Sequence, residues 1–341
     1  MRKAAAMVSG MVLGFIGLIL VDRHLSCAQS LPESVVENAR KEGALNLYGS
    51  IRDDEAKGIF DVFKKRYPGI AINYFRSSED KLVSKILGES KAGTYNFDIM
   101  DSSGSYHLKT LGLALKWLSP SAAGINPDLL DPDEMATPVR INTNVIQYNT
   151  KLVSKIEIPG SYEELADPKW RGKLCLEDSD FEWFAGMIKI MGKDKALDLF
   201  RRIAANKPTI RNGHGLLADL VAAGECPLAI NQYGNQVALV QKRGGPTDFI
   251  AINPVMTIVV PAVISKNAPH ANAAKLYVNW ITSKEGQELI VKNGGRIPVR
   301  IDVDPDPPKL TKGLKLKIAQ RLQGREFRDI QALYRQVWQG R

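Results

Sequence analysis

Residues 139–150, VRINTNVIQYNT, form an extended stretch in which apolar and polar side chains alternate. A second extended stretch, PVMTIVVPAVISKNAP, occupies residues 254–269. Alternation and β-branched residues are typical of strands. The two stretches bracket a middle region that has strands and helices of its own. We therefore expect the chain to leave a first lobe, build a second and return, so that two crossing strands form a hinge over a cleft.

Strand and helix patterns alternate on both sides of the first stretch. From residue 44, ALNLYGS predicts a strand, DDEAKGIFDVFKKRYPG a helix and IAINYF the next strand, and a similar series starts near residue 159. Such strand–helix–strand units predict parallel sheets covered by helices. The expected fold class is α/β, with two three-layer lobes. Lobe 1 is predicted over residues 29–141 plus 256–308, and lobe 2 over residues 142–255.

The N-terminus has the layout of a secretory signal. Two basic residues precede an apolar run over residues 4–21, and small residues follow around Cys27. This order predicts a signal peptide over residues 1–28 and export of the remaining chain. A retained membrane anchor and a lipid attached to Cys27 are the alternatives.

Two cysteines remain after such cleavage. Cys175 and Cys226 each lie in a strand-like segment, GKLCLED and GECPLAI. An oxidising compartment permits a bond between them if those strands are neighbours. Two buried thiols are the other possibility, and the sequence leaves both open.

The basic charge is concentrated at the C-terminus. The formal net charge is +9, and residues 309–341 hold nine Lys or Arg against two Asp or Glu. The body of the chain is therefore close to neutral, which disfavours a nucleic-acid partner. Apolar residues at helical spacing predict a basic helix over residues 309–341, docked by its apolar side. Contact with anionic lipid headgroups or an acidic partner surface is the alternative.

Catalytic motifs are missing from the sequence. It contains no G-x-S-x-G, H-E-x-x-H, Walker phosphate loop or C-x-x-C, so no nucleophile–base pair is evident. The four histidines are scattered, and none forms a ligand pair at helical spacing. This pattern gives no support to a histidine-based zinc site.

Four loops are expected to face the cleft, because ligands of open α/β sheets bind beyond the carboxyl ends of the strands. These loops are 49–53, 101–105, 178–183 and 231–235. The third loop is acidic, which suits either a helix N-terminus or a cationic ligand group. In the first loop, Arg52 favours an anionic group instead. The sequence leaves this conflict open.

The chain resembles the periplasmic solute-binding proteins of ABC importers, in the branch that includes ferric-iron binders. The resemblance covers about residues 40–300 and depends on the order of LYGS, NVIQYNT, DPKWRGKL, GECPLAINQYGNQ and HANAAKLYVNWITSKEGQELI. It implies two α/β lobes, a hinge, closure on one small solute and delivery to a membrane permease. No reaction and no resident cofactor are implied.

The iron-site pattern of that branch is incomplete here. Two adjacent tyrosines supply phenolate oxygens in the ferric binders, and hard oxygen donors suit a hard cation. In this chain the first tyrosine matches Tyr233 and the second falls on Gly234. The histidine of the first loop is replaced, and the arginine-rich crossover reads Asn142, Thr143 and Asn144. Tyr233 is the one metal ligand that the resemblance carries over, so a polar organic solute or small oxyanion suits the site at least as well as ferric iron.

The sequence therefore predicts a periplasmic binding protein that acts as a monomer, with a small molecule or metal ion and an ABC permease as its partners. The expected ligand contacts are Ser50, Arg52, Ser102, Ser103, Asp180 and Tyr233. A secreted enzyme on the same scaffold and a binding module that reports to a sensor or chemoreceptor are the competing hypotheses.

Overall fold

The computed structural model describes residues 30–322 and 324–340. The predicted signal peptide and Cys27 lie outside these residues. Within this part of the chain, none of the helices has both the length and the apolar character needed to span a membrane.

Lobe 1 begins with alternating helices and strands, as expected. Apolar residues at helical spacing, Ile59, Phe60 and Phe63, are buried on one face of the second helix. The elements in chain order are α1 (Glu33–Glu42), β1 (Ala44–Gly49), α2 (Asp53–Arg66), β2 (Ala71–Arg76), α3 (Glu79–Lys91), β3 (Ile99–Asp101) and α4 (His107–Thr110). Short 3-10 turns follow up to the first crossing strand, β4 (Thr137–Asn149).

Lobe 2 repeats the α/β alternation. Its elements are β5 (Leu174–Glu177), α5 (Phe181–Met191), α6 (Lys193–Ala204), β6 (Thr209–Arg211), α7 (His214–Ala223), β7 (Leu228–Tyr233), α8 (Gly234–Lys242) and β8 (Thr247–Ile250). The second crossing strand, β9 (Val255–Ile264), then returns the chain to lobe 1.

The last part of the chain differs from expectation in two places. The pattern over residues 270–295 predicts one helix, but the structure has α9 (Ala271–Ile281) and α10 (Lys284–Gly294). Ser283 starts the second helix by accepting a hydrogen bond from the Gly286 amide. A Cβ on Gly286 would lie 2.3 Å from the Trp280 carbonyl oxygen, so the tight turn requires glycine there.

The predicted helix over residues 309–341 is also too long. After the short strand β10 (Ile297–Pro298), the chain forms a 3-10 turn over Pro308–Leu310 and the strand β11 (Leu316–Ile318). The helix of this region, α11, occupies only Gly324–Gln339. β11 pairs in parallel with the start of β9. Because this tertiary pairing satisfies the backbone of residues 316–318, it overrides their helical spacing.

The crossing strands join the two lobes. Residues 137–143 of β4 pair with β9, whereas residues 144–149 pair with β7 and β8 of lobe 2. The last residues of β9, 262–264, pair with β3 of lobe 1. The change of partner between Thr143 and Asn144 marks the hinge. The strand order is β2-β1-β3-β9-β4-β7-β5-β6, so each lobe keeps its own parallel strands.

Each lobe has two apolar layers around its part of the sheet. In lobe 1, α2, α9 and α10 bury residues such as Phe63, Tyr277 and Ile290 on one face, and α3 covers the other through Leu82 and Ile86. In lobe 2, α5, α6 and α11 form the larger core, and α7 covers the opposite face. The α/β fold class with two three-layer lobes and a two-strand hinge is therefore confirmed.

Cys175 on β5 and Cys226 just before β7 form a disulfide, with their Cα atoms 6.0 Å apart. β5 and β7 are parallel neighbours, which places the two side chains side by side. The bond lies within lobe 2, in the apolar layer under α7.

Candidate functional site

A cleft of about 690 Å³ lies between the lobes, at the carboxyl ends of the parallel strands. Five of the six predicted contacts line it: Ser50, Arg52, Ser102, Ser103 and Tyr233. The sixth, Asp180, is 2% exposed and lies outside the lining. The cleft is where α/β sheets of this topology place a ligand.

The lobe 1 wall contains hydroxyl and guanidinium groups, together with the carboxyl groups of Asp53, Asp54 and Glu79. The β1–α2 loop provides Arg52, which pairs with Asp54 at 3.2 Å. The end of β2 adds Arg76, which is exposed and makes no ion pair within the described residues. Ser103 Oγ donates a 2.5 Å hydrogen bond to Glu79. These loops combine cationic donors with hydroxyls around one side of the cleft.

The floor of the lobe 1 side is a buried charged network. Arg140 on β4 donates to Asp101 at the end of β3, with 2.5 Å between Nη1 and Oδ1. Arg296, after α10, makes a two-pronged pair with Glu55 on α2, with 2.7 Å for each hydrogen bond. Both arginines also line the cleft. The network therefore fixes two guanidinium groups beneath the ligand space.

The lobe 2 wall is dominated by a stacked ring pair. Tyr233, at the end of β7, lies parallel to His214 at the start of α7, with 3.5 Å between ring centroids and 20° between ring planes. Gln232 Oε1 accepts the Tyr233 amide at 2.7 Å and lies 3.2 Å from His214 Nδ1. Because that amide oxygen is an acceptor, the imidazole proton belongs on Nδ1.

Burial keeps this ring pair neutral. It raises the pKa of the Tyr233 phenol well above its ordinary value, and the nearby Asp180 and Glu182 carboxyls raise it further. Burial also lowers the pKa of the His214 imidazole to about 3. A neutral phenol and a neutral imidazole can donate and accept hydrogen bonds, and they present an apolar face to a ligand.

Two carboxyl groups of the acidic loop of lobe 2 accept hydrogen bonds from within the protein. Glu177 accepts the amides of Ser179 and Gly213, at 2.7 and 3.0 Å. Asp180 accepts a 2.5 Å hydrogen bond from the Asn144 side chain, and burial raises its pKa well above the ordinary value. These carboxyl groups hold the loop and the hinge strand together, while Glu182 reaches the cleft.

Gly234 occupies the position of the second tyrosine of the ferric binders, and its surroundings are tightly packed. A Cβ on Gly234 would lie 3.0 Å from both Leu310 Cδ2 and Thr143 Oγ1, so a larger residue would have to displace its neighbours. In residues 30–322 and 324–340, no three His, Cys, Asp or Glu side chains are grouped to hold a metal ion. Among the aromatic residues of the cleft lining, Tyr233 provides the one phenol.

Several residues of the site, Arg76 at the end of β2 among them, were not among the predicted contacts. Arg140 and Arg296 line the floor, and His214 stacks on Tyr233. The only signal for Arg140 was a charge inside an otherwise apolar and amide-rich strand. His214 starts α7, and nothing in the spacing of the histidines indicated its contact with the tyrosine.

Comparison with known proteins agrees with this architecture. Iron uptake protein A1 of Synechocystis sp. is 22% identical over 302 residues, which cover 80% of this chain and 81% of that protein. Iron-bound HitA from Pseudomonas aeruginosa has a TM-score of 0.76 at 24% identity, covering 86% of this chain and 99% of that one.

A third neighbour carries a different ligand. AfuA from Actinobacillus pleuropneumoniae, solved with fructose-6-phosphate bound, has a TM-score of 0.73 at 22% identity, covering 87% of this chain and 97% of that one. The family model described as bacterial extracellular solute-binding protein matches residues 58–317. The resemblance predicted from the sequence is therefore confirmed: the chain belongs to the bacterial extracellular solute-binding protein family, in the branch that includes ferric-iron binders.

Proposed function

We propose that this protein captures a small organic solute with an anionic group between its lobes and delivers it unchanged to the permease of an ABC importer. The main support for this proposal is the composition of the lobe 1 wall, where four arginines and several serine hydroxyls line one cleft. Guanidinium groups are suited to phosphate, phosphonate and carboxylate because their donors match the spacing of the oxygens.

Arg76 is the proposed anchor for the anionic group. The other three arginines of the lining are paired with Asp54, Asp101 and Glu55. Arg76 makes no such pair within the described residues and stands beside Ser77 and Ser78 at the mouth of the cleft. A cation that is exposed in the free protein gains a partner when an anion binds and the lobes close.

Lobe 2 would hold the rest of the solute. Tyr233 and His214 offer a ring surface with a hydroxyl and a ring nitrogen, and Gln236 and Asn142 add amide groups at the base of the cleft. Asn142 Oδ1 is buried and accepts no hydrogen bond from the residues that the structure describes. This wall suits the hydroxylated or amino-bearing body of a small polar molecule.

Binding can be tested by thermal shift and calorimetry with inorganic phosphate, fructose 6-phosphate, 2-aminoethylphosphonate and ferric citrate. We expect an anionic organic probe to stabilise the protein, by about 2.7 kcal/mol at a hundredfold excess over the dissociation constant. Loss of a hydrogen bond to a charged group in Arg76→Ala should weaken binding by about 10- to 100-fold.

The matched control is Arg66→Ala, since Arg66 is exposed at the end of α2 and is not part of the cleft lining. Its affinity should equal that of the wild type. Binding of uncharged solutes alone, or equal affinity of both arginine variants, would contradict the anionic class.

Ferric iron is the second candidate ligand, because iron-binding relatives are among the most similar proteins. Tyr233 would supply the phenolate, at the cost of ionising a buried phenol. If iron is the cargo, a visible phenolate-to-iron charge-transfer band should appear and be absent in Tyr233→Phe. A colourless protein in excess ferric citrate would remove this candidate.

The remaining features of the proposal follow from the family. We propose that the chain is exported by its N-terminal signal peptide, acts in the periplasm as a monomer and catalyses no reaction. Ser50, Arg52, Ser102, Ser103 and Tyr233 remain the proposed contacts of the ligand, and Asp180 acts from behind the wall by holding Asn144. A role in signalling to a sensor would leave the cleft chemistry the same but replace the permease as the partner.

A further inference from the structure

We infer that the C-terminal strap, residues 316–322 and 324–339, is a positioning element of the ligand cleft that couples a loop of lobe 1 to a loop of lobe 2. Most of the strap lies beyond residue 317, where the match to the family model ends. It connects the loop after β3, residues 102–107, with the loop after β5, residues 177–182. Both loops contribute side chains to the cleft lining.

Arg321 attaches the strap to lobe 1. Its guanidinium donates to Asp131 Oδ1 at 3.0 Å and to the Leu129 carbonyl at 3.2 Å. It also lies over the Tyr106 ring, 4.3 Å from the centroid. Tyr106 ends the 3-10 turn that begins at the cleft residue Ser103. The strap therefore supports the β3 loop from behind the ligand space.

Tyr334 attaches the strap to lobe 2. Its ring is fully buried against Phe181 and Phe184, with centroids 5.3 and 5.2 Å away. Its hydroxyl donates a hydrogen bond to the Glu177 carbonyl at the end of β5. Because Glu177 begins the acidic loop, this contact fixes the position at which the loop leaves the strand.

Phe327 connects the two loops directly. Its ring lies 4.8 Å from His107 of lobe 1 and 5.5 Å from Phe181 of lobe 2. Residues of both lobes and of the strap also line one small cavity of about 20 Å³, among them Ser103, Glu182 and Arg321. The loops thus approach each other where the strap lies.

The strap adds a third connection to the two crossing strands. Lobe closure around a hinge changes the distance between the loops on either side of the cleft. An element that packs on both loops stabilises one relative position of them. Loosening it on one lobe should therefore loosen the loop of the other lobe, which a purely local packing role would not do.

Hydrogen–deuterium exchange of the full mature protein without ligand tests this coupling. In Phe327→Ala, we expect exchange in both residues 102–111 and 177–184 to rise on the order of fivefold, because aromatic contacts limit local opening. Phe327→Tyr, which keeps the ring, should restore the wild-type rates. Strands β1 and β2 should not change.

Two further variants make the result decisive. Tyr334→Phe keeps α11 packed but removes the hydrogen bond to lobe 2, and it should also raise exchange in residues 102–111 of lobe 1. Arg325→Ala alters a side chain of α11 that is 88% exposed, and it should change neither loop. If Phe327→Ala and Tyr334→Phe raise hydrogen–deuterium exchange only in residues 177–184 of lobe 2, the inference is wrong. Because no ligand is used, this outcome is independent of the proposed solute.

Discussion

Arg296→Met should lower the free energy of unfolding by about 3 to 5 kcal/mol, as expected when one partner of a buried ion pair is removed. Arg296 and Glu55 have side chains only 9% and 6% exposed, and two hydrogen bonds of 2.7 Å join them. Without the guanidinium, the Glu55 carboxylate is left buried without its cationic partner. Chemical denaturation followed by fluorescence measures the loss.

Two comparisons isolate the buried charge. Replacing both partners, as Glu55→Leu with Arg296→Met, should recover most of the loss, since no uncompensated charge remains. Lys57→Ala removes an ion pair at 2.6 Å on the same helix, where both side chains are exposed, and should leave stability unchanged within error. The interpretation fails if the double variant is as unstable as Arg296→Met.

Acidification should destabilise the wild-type protein relative to His214→Asn. In an unfolded chain the pKa of histidine is near its ordinary value of 6.5, whereas in the folded protein burial lowers the pKa of His214 to about 3. Between these values the unfolded state binds a proton that the folded state does not. The free energy of unfolding therefore falls as the pH falls through this window, by about 1.4 kcal/mol per unit.

Neighbouring carboxyl groups act in the opposite direction. Asp180 Oδ2 and Glu177 Oε2 each lie 4.0 Å from His214 Nε2, and burial raises the pKa of both carboxyls. Their contribution is present in wild type and variant alike, so the difference between the two proteins reports His214. Between pH 7 and pH 5, the free energy of unfolding of the wild type should fall by about 2 kcal/mol relative to that of His214→Asn. Parallel stability curves from pH 7 to pH 5 would show that His214 is not buried as the structure places it.

The fold was accessible from the sequence because its signals are local. Turns and helix starts separate the strands of both lobes, and the two long strands β4 and β9 stand out as extended stretches. The length of the C-terminal helix was wrong because residues 316–318 pair with β9, about 60 positions earlier in the chain. Such pairing leaves no trace in the spacing of nearby apolar residues.

Only part of the candidate site could be predicted from the sequence, for the same reason. Ser50 and Arg52 lie in the loop after β1 and Tyr233 ends β7, and topology alone places such residues at the cleft. Arg140 and Arg296 acquire their positions from partners that are 39 and 241 residues away. His214 reaches Tyr233 only because α7 and β7 pack together. The role of the C-terminal strap likewise depends on contacts between distant segments.

We expect the two hinged lobes to close on a solute and to release it unchanged. Small-angle scattering of the mature protein, with and without the probe that most stabilises it, measures this closure. Closure predicts a smaller radius of gyration at saturation, and release without reaction predicts recovery of the probe chemically intact. An identical scattering profile with a saturating, stabilising probe would contradict it.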